Sequence, residues 1–121
     1  MAAELRVGVI GTGRWAKMAH LPGWTRDTRV DLVAVCDTDG AVVEEAAREF
    51  GVAEHTTDHR RLLERDDIDV IDIVTGDSGH FDLTMAALEA GKHVLVEKPV
   101  AHDFRDTLRA RDLAASMNLP Y

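Results

Sequence analysis

The sequence predicts an α/β fold, a doubly wound parallel sheet held between helices in three αβα layers. Three observations predict it. Apolar, β-branched runs alternate with segments of helical period along the whole chain. The runs are largely apolar throughout, as strands buried on both faces require. A helix separates each strand from the next, which suits parallel pairing through right-handed crossovers.

Leu5-Arg6-Val7-Gly8-Val9-Ile10 reads as the first buried strand. Arg14 to about Trp24 reads as a helix, bent or ended near Pro22, because proline lacks the N–H that a helix interior uses. Val30 to Cys36 is a second strand. Val42, Val43, Ala46, Ala47 and Phe50 recur at three- and four-residue steps, so an amphipathic helix follows, stopped by Gly51. A short strand is expected near Glu54–Thr57, then a helix from Asp58 to Arg65 with Asp58 as its N-cap. Val70 to Val74 is the third apolar run. Ser78–Ala90 is helical and closes on Gly91, and His93–Glu97 is the next strand. Asp103 caps a last helix that should carry Phe104, Leu108 and Ala115 inward.

The chain of 121 residues, 13.3 kDa, is one domain's worth. With 45% hydrophobic and 30% charged residues it is ordinary globular material. A chain of this size buries about two-thirds of its unfolded surface, enough for a core without staples. The single cysteine, Cys36, excludes a disulfide framework within the chain and fits a reducing compartment. No apolar run approaches the ~18 residues of a membrane span. Met1-Ala2-Ala3-Glu4-Leu5-Arg6 shows no basic-then-apolar leader pattern. A cytoplasmic location without membrane association is the expectation. Acidic residues outnumber basic ones 22 to 14, for a net charge of −8, which disfavours nucleic acid as a partner. An anionic cofactor stays open, since backbone N–H groups at a helix N-terminus hold phosphate without net positive charge.

Gly11-Thr12-Gly13-Arg14-Trp15-Ala16 follows the first strand and opens the first helix. It matches G-x-G-x-x-G/A: Gly11 for the tight turn, Gly13 for close approach of a pyrophosphate, Ala16 for helix–strand packing. Asp37 ends the second strand at the spacing of an acid that accepts from both hydroxyls of an adenosine ribose. Its charge opposes a 2′-phosphate, so NAD is favoured over NADP. The alternative is a tight glycine turn and a helix-capping Asp37 with no ligand. Beyond the strands' carboxyl ends three segments should meet: Asp37-Thr38, Thr75 to His80, and Glu97-Lys98-Pro99. Lys98, before a proline at a strand end, can orient a substrate hydroxyl or relay its proton. From composition alone, a surface lysine is the simpler reading.

Val9-Ile10-Gly11-Thr12-Gly13, Val33 to Asp37, Asp69 to Thr75, and above all Ala86-Ala87-Leu88-Glu89-Ala90-Gly91-Lys92-His93-Val94-Leu95-Val96-Glu97-Lys98-Pro99 carry a resemblance. The chain resembles the N-terminal NAD(P)-binding Rossmann domain of the glucose–fructose oxidoreductase / inositol dehydrogenase (Gfo/Idh/MocA) family, over essentially its whole length. The resemblance implies hydride transfer at a secondary alcohol of a sugar, cyclitol or related compound. It implies that Gly11, Gly13, Arg14 and Trp15 line the pyrophosphate, that Thr12 belongs to the same cofactor-binding loop and that Asp37 holds the ribose. It places Thr75, His80 and Glu97 on the nicotinamide side, with Lys98 facing both cofactor and substrate as the catalytic residue.

Two features depart from the family pattern. Gly76 stands where a proline usually follows the threonine, so that loop is expected to be looser. The family's second, substrate-binding domain is absent from residues 1–121. The chain is therefore expected to be the cofactor part of a longer protein, with a naturally short protein as the alternative. It is expected to be inactive alone and to self-associate as a homo-oligomer, through the sheet edge left unpaired where Asn118-Leu119-Pro120-Tyr121 stops or through the surface facing the missing domain. A non-catalytic NAD(H)-binding sensor completed by a partner is the alternative, and a structural subunit that binds nothing is a third. No metal site is expected. His55 and His59 have a metal-like spacing, but a strand–helix boundary falls between them and no third ligand is evident. Cys36 reads as a buried small hydrophobe. His20 and Trp24 read as packing residues, and Trp15 as either packing or a cleft shield. Asp66, Asp67 and Asp69 read as a solvated loop.

Overall fold

A computed structural model describes residues 5–121. Met1–Glu4, part of the N-terminal stretch without a leader pattern, lies outside the described residues. The strands are β1 (Leu5–Ile10), β2 (Val30–Cys36), β3 (Glu54–Thr56), β4 (Val70–Ile73) and β5 (His93–Val96). They form a parallel sheet in the order β3-β2-β1-β4-β5. Strand order therefore reverses between β1 and β4, and the crevice at their carboxyl ends is where a doubly wound sheet holds a ligand.

Alternation along the central strands divides the core between the two faces. A helical turn of π type (Ala16–His20) leads into α1 (Leu21–Arg26) and covers one face together with α2 (Gly40–Phe50). Val7, Val9, Val35, Ala16, Leu21, Val43 and Ala46 are buried there. On the other face α3 (Arg60–Leu63), α4 (His80–Glu89) and α5 (Phe104–Ser116) bury Ile71, Ile73, Leu62, Leu88 and Ala114. Each fully buried Val, Leu or Ile contributes about 1.5–3 kcal/mol.

Three expectations need correction. Of the two alternatives left open at Pro22, bent or ended, the helix does not end there; it continues to Arg26, past the expected Trp24. Pro22 has no N–H to offer, and the ladder widens just before it, where Leu21 N–H reaches back to Ala16 O. The third helix is a single turn, Arg60–Leu63, shorter than the expected Asp58–Arg65, although Asp58 does take the Arg60 N–H at 3.1 Å. The last helix starts at the Asp103 cap, whose carboxylate takes the Arg105 N–H at 2.9 Å, but its inward face differs. Ala110 and Ala114 are buried, while Phe104 (73% exposed), Leu108 and Ala115 form the opposite stripe. Small side chains let α5 lie close against its neighbours, and the bulky ones are left outside.

The aspartates between α3 and β4 are more engaged than a solvated loop suggests. Asp69 accepts the Arg6 N–H at 2.9 Å, and Asp67 pairs with Arg65 and Arg6. Beside them the buried Lys92 side chain donates from Nζ to the carbonyls of Arg65 and of Ile68, the latter at 2.8 Å. It thereby satisfies two carbonyls at the exit from α3.

Candidate functional site

The loop after β1 is shaped by two glycines for different reasons. Gly11 has φ +104°, and a Cβ there would lie 2.5 Å from the Val74 carbonyl. Its N–H donates to Cys36 O at 2.7 Å, tying the loop to β2. Any larger residue would force β1 and β4 apart at their carboxyl ends. Gly13 meets nothing within 4 Å and has no positive φ. No internal contact demands a glycine there; the space above its Cα is open. The helix that follows begins at Arg14, and its first-turn N–H groups lack intrahelical partners by geometry.

Asp37 comes off the end of β2 into the same crevice. Its Oδ2 accepts from the Thr12 N–H at 2.9 Å and the Thr12 hydroxyl at 3.1 Å. Its Oδ1 accepts from the Asp39 N–H at 3.0 Å. Thr12 is fully buried and its polar groups are committed to Asp37, so it sits behind the cleft wall. It shapes the site through the carboxylate it holds.

Two cavities adjoin along the strand ends. The first, about 400 Å³, is lined by Gly11, Gly13, Asp37, Thr38, His59 and Gly76, among others. The second, about 310 Å³, is lined by Trp15, Asp77, His80, Glu97 and Lys98, and Val74 and Thr75 line both. The predicted segments thus converge. Arg14 is exposed and lies outside the lining of either cavity. His59 faces the larger cavity while His55 lines a separate groove, so the two do not come together. Cys36 is buried in the wall, and burial, then the charges of Asp37 and Asp58, push its thiol up to about 11.

His80 is buried and its ring bridges two carbonyls, Pro99 O from Nδ1 at 2.7 Å and Thr75 O from Nε2 at 2.9 Å. It therefore fixes the β4 loop against the Lys98–Pro99 turn, whose peptide bond is cis. Lys98 itself is exposed at the mouth of the smaller cavity, and no carboxylate lies within ion-pair distance of it among the described residues.

A polar network that the sequence reading missed runs beneath this cavity. His20 bonds Asp72 Oδ2 from Nδ1 at 2.7 Å and Glu97 Oε1 from Nε2 at 2.9 Å. Trp24 donates its indole N–H to Asp72 at 2.7 Å, and Trp15 donates to Glu97 at 2.8 Å. Trp15 is 54% exposed in the cleft wall, whereas Trp24 packs against the core and also bonds Asp72. Asp72 is wholly buried, and burial pushes its carboxyl up against the opposing bonds from Trp24 and His20. Burial disfavours charge on His20, but its bonds to Glu97 and Asp72 outweigh that and raise its pKa. Glu97 is held below its ordinary value, first by His20 and then by Trp15. One signal was available in the sequence: Asp72 interrupts an apolar strand, and a carboxylate buried there requires a partner.

The Gfo/Idh/MocA oxidoreductase family, NAD-binding Rossmann fold, matches residues 5–121. The chain belongs to this family. Among its relatives, a dTDP-3,4-didehydro-2,6-dideoxy-α-D-glucose 3-reductase of Saccharopolyspora spinosa is 37% identical over 119 residues, 98% of this chain and 36% of the relative. A 1-carboxy-3-chloro-3,4-dihydroxycyclohexa-1,5-diene dehydrogenase of Comamonas testosteroni is 40% identical over 105 residues, covering 87% and 26%. Among solved structures, the 3-ketoreductase KijD10 of Actinomadura kijaniata, with NADP and TDP-benzene, superimposes at TM-score 0.90 and 31% identity, covering 95% and 35%. GenD2 from gentamicin A biosynthesis, with NAD, gives 0.92 and 29%, covering 98% and 34%. The chain spans about a third or less of the length of these proteins. It is an NAD(P)-binding Rossmann domain, and the open space over Gly13 beside the oriented Asp37 carboxylate fits a dinucleotide. No helix among the described residues is long and apolar enough to cross a membrane.

Proposed function

We propose that residues 5–121 form the cofactor-holding part of an NAD-dependent oxidoreductase that acts on a secondary alcohol or ketone of a sugar, cyclitol or related compound. The observation that carries this reading is the convergence of Gly13, Asp37 and Lys98 on two adjoining cavities at one sheet edge. The Asp37 carboxylate, held by Thr12, accepts from the two hydroxyls of the adenosine ribose and repels a 2′-phosphate. Gly13 leaves room for the pyrophosphate over the start of the helix. Thr75, His80 and Glu97 shape the nicotinamide side, and Trp15 covers it. The nicotinamide, when bound, supplies or accepts the hydride. Lys98 orients the reacting hydroxyl and holds its proton. The sugar nucleotide acted on by the S. spinosa relative and the cyclic diol acted on by the C. testosteroni one support an alcohol or ketone flanked by oxygen. In this reading the rest of the substrate enclosure comes from outside residues 5–121, and the isolated domain binds cofactor without useful turnover.

Calorimetric titration with NAD(H) and NADP(H) tests the cofactor reading. NADH should bind the 121-residue chain more tightly than NADPH, and Asp37→Ala should narrow the gap. Equal or tighter NADPH binding would overturn the preference.

A further inference from the structure

The His20 network contains two short hydrogen bonds among three titratable groups. Where both carboxylates are ionised they accept and cannot donate, and a ring bonded to each of them through a nitrogen then donates from both. Only the imidazolium does that. The oxygens concerned also take indole N–H groups, from Trp24 at Asp72 Oδ2 and from Trp15 at Glu97 Oε1, and an indole N–H cannot accept. Glu97 Oε2 takes the Lys98 backbone N–H at 3.1 Å. The ring thus links β4, through Glu97, to both the glycine loop and Lys98 at the cleft mouth. Asp72, with Oδ1 buried and without a partner, has His20 as its one counter-charge among the described residues.

We propose that His20 is a positioning residue that, as an imidazolium, latches the glycine loop to the end of β5 and so sets the placement of Trp15 and Lys98 in the cleft. The proposal rests on the cofactor reading for its consequence, since the latched wall is the nicotinamide side. Loss of the ring proton leaves a lone pair facing one carboxylate. Glu97 is the partner that lets go, because it is partly exposed and can turn to water, whereas Asp72 is buried and cannot. Trp15 loses its anchor with it. The charged and titratable groups around His20 are Asp72 from β4 and Glu97 from the end of β5. Asp27 at the end of α1 lines the same outer groove as His20 and is paired with Arg29. Beyond Glu97, Lys98, Asp77 and His80 face the smaller cavity. Burial opposes charge on the ring, but the bonds to the two adjacent carboxylates outweigh it and raise the His20 pKa, so the latch holds to higher pH than an ordinary histidine would allow and opens as pH rises further.

The test combines imidazole and indole NMR of the ligand-free 121-residue chain with NADH calorimetry across neutral to alkaline pH. His20 should carry a proton on both nitrogens at neutral pH, and the Trp15 indole N–H resonance should follow the His20 titration. NADH affinity should fall on the order of tenfold as His20 deprotonates, the equivalent of one charge-assisted hydrogen bond. Glu97→Gln removes one negative neighbour and should move the His20 midpoint to lower pH. Asp72→Asn should do the same for the NMR midpoint, with the affinity midpoint following it and the low-pH affinity kept; a merely structural role would leave the affinity midpoint unmoved. If Asp72→Asn does not fold, the surface change at Glu97 decides alone. A single protonated nitrogen at neutral pH, a Trp15 signal indifferent to the His20 titration, or a midpoint unmoved in Glu97→Gln would overturn the latch. If NADH binds at no pH, the cofactor reading fails, and the NMR measurements still decide the latch.

Discussion

Gly11 and Gly13 belong to one motif, yet replacing each with alanine should damage different properties. At Gly11 a Cβ would lie 2.5 Å from the Val74 carbonyl carbon and oxygen and 2.8 Å from the Thr75 nitrogen. These are backbone atoms in the middle of the sheet edge, so they cannot swing aside as a side-chain tip would. The φ of +104° adds a backbone penalty of about 1–2 kcal/mol for a non-glycine residue. Forcing extra volume into packed surroundings adds about 1–3 kcal/mol. Gly11→Ala should therefore lose about 2–5 kcal/mol, a large part of the roughly 5–15 kcal/mol available to a domain. At Gly13 the same change meets no atom and no φ penalty. Gly13→Ala should keep the wild-type stability within about 0.5 kcal/mol and instead weaken NADH binding. Urea unfolding gives the stabilities, read as midpoint changes at constant slope, and calorimetry gives the affinities. A stable Gly11→Ala, or a Gly13→Ala that unfolds easily but binds NADH normally, would refute the division of labour.

Lys92→Met should cost about 1–3 kcal/mol in the same urea assay, because it strands the Arg65 and Ile68 carbonyls beside a buried side chain; an unchanged midpoint would show that water replaces the amine without loss. The raised pKa of His20 gives stability a definite sign: its contribution is complete below the ordinary value of 6.5 and is lost as pH rises through the higher folded value. Thermal melts should therefore fall on the alkaline side in the wild type, with that slope flattened in His20→Gln; equal slopes in both proteins would contradict the assignment. Leu95, 46% exposed on β5 at the end of the sheet, should support self-association of the isolated chain. Light scattering over a concentration series checks this, and Leu95→Glu should shift the balance towards monomer; a wild-type monomer at high concentration would contradict it.

Local patterns made much of this legible. β1, the glycine loop and the helix after it are contiguous in sequence, so the run from Val9 to Ala16 could be read as one strand–turn–helix unit. Asp37 could be placed because β2 is a continuous apolar strand whose end is easy to find. The His20 network could not be assembled in the same way, since its bonds join residues 52 and 77 positions apart. Partners at that separation come together only through sheet order and register, where Asp72 lies between Val9 and Leu95. The inward face of α5 was misread for a different reason. Phe104, Leu108 and Ala115 have helical spacing, but so do Ala110 and Ala114 with the half-buried Leu113. Hydrophobic size favoured the first set, while close approach to α4 selected the second. At Pro22 the general rule that proline ends a helix was overridden by a single widened turn.

Lys17, Lys92 and Lys98 are the chain's lysines, and their surroundings set them apart chemically. Lys92 is closed off, its ammonium held by main-chain oxygens. Lys17 lies 3.8 Å from Glu45 and 3.7 Å from Glu49, its ammonium engaged by both carboxylates and its side chain three-quarters covered. Lys98 alone stands at an open cleft without such a neighbour. An acylating reagent applied sparingly will therefore mark Lys98 ahead of the other side-chain amines. The rate of that marking becomes a gauge of what occupies the cleft, readable by mass spectrometry on unlabelled protein. Scarcity of lysine on a surface rich in arginine thus turns an ordinary amine into a site-selective reporter.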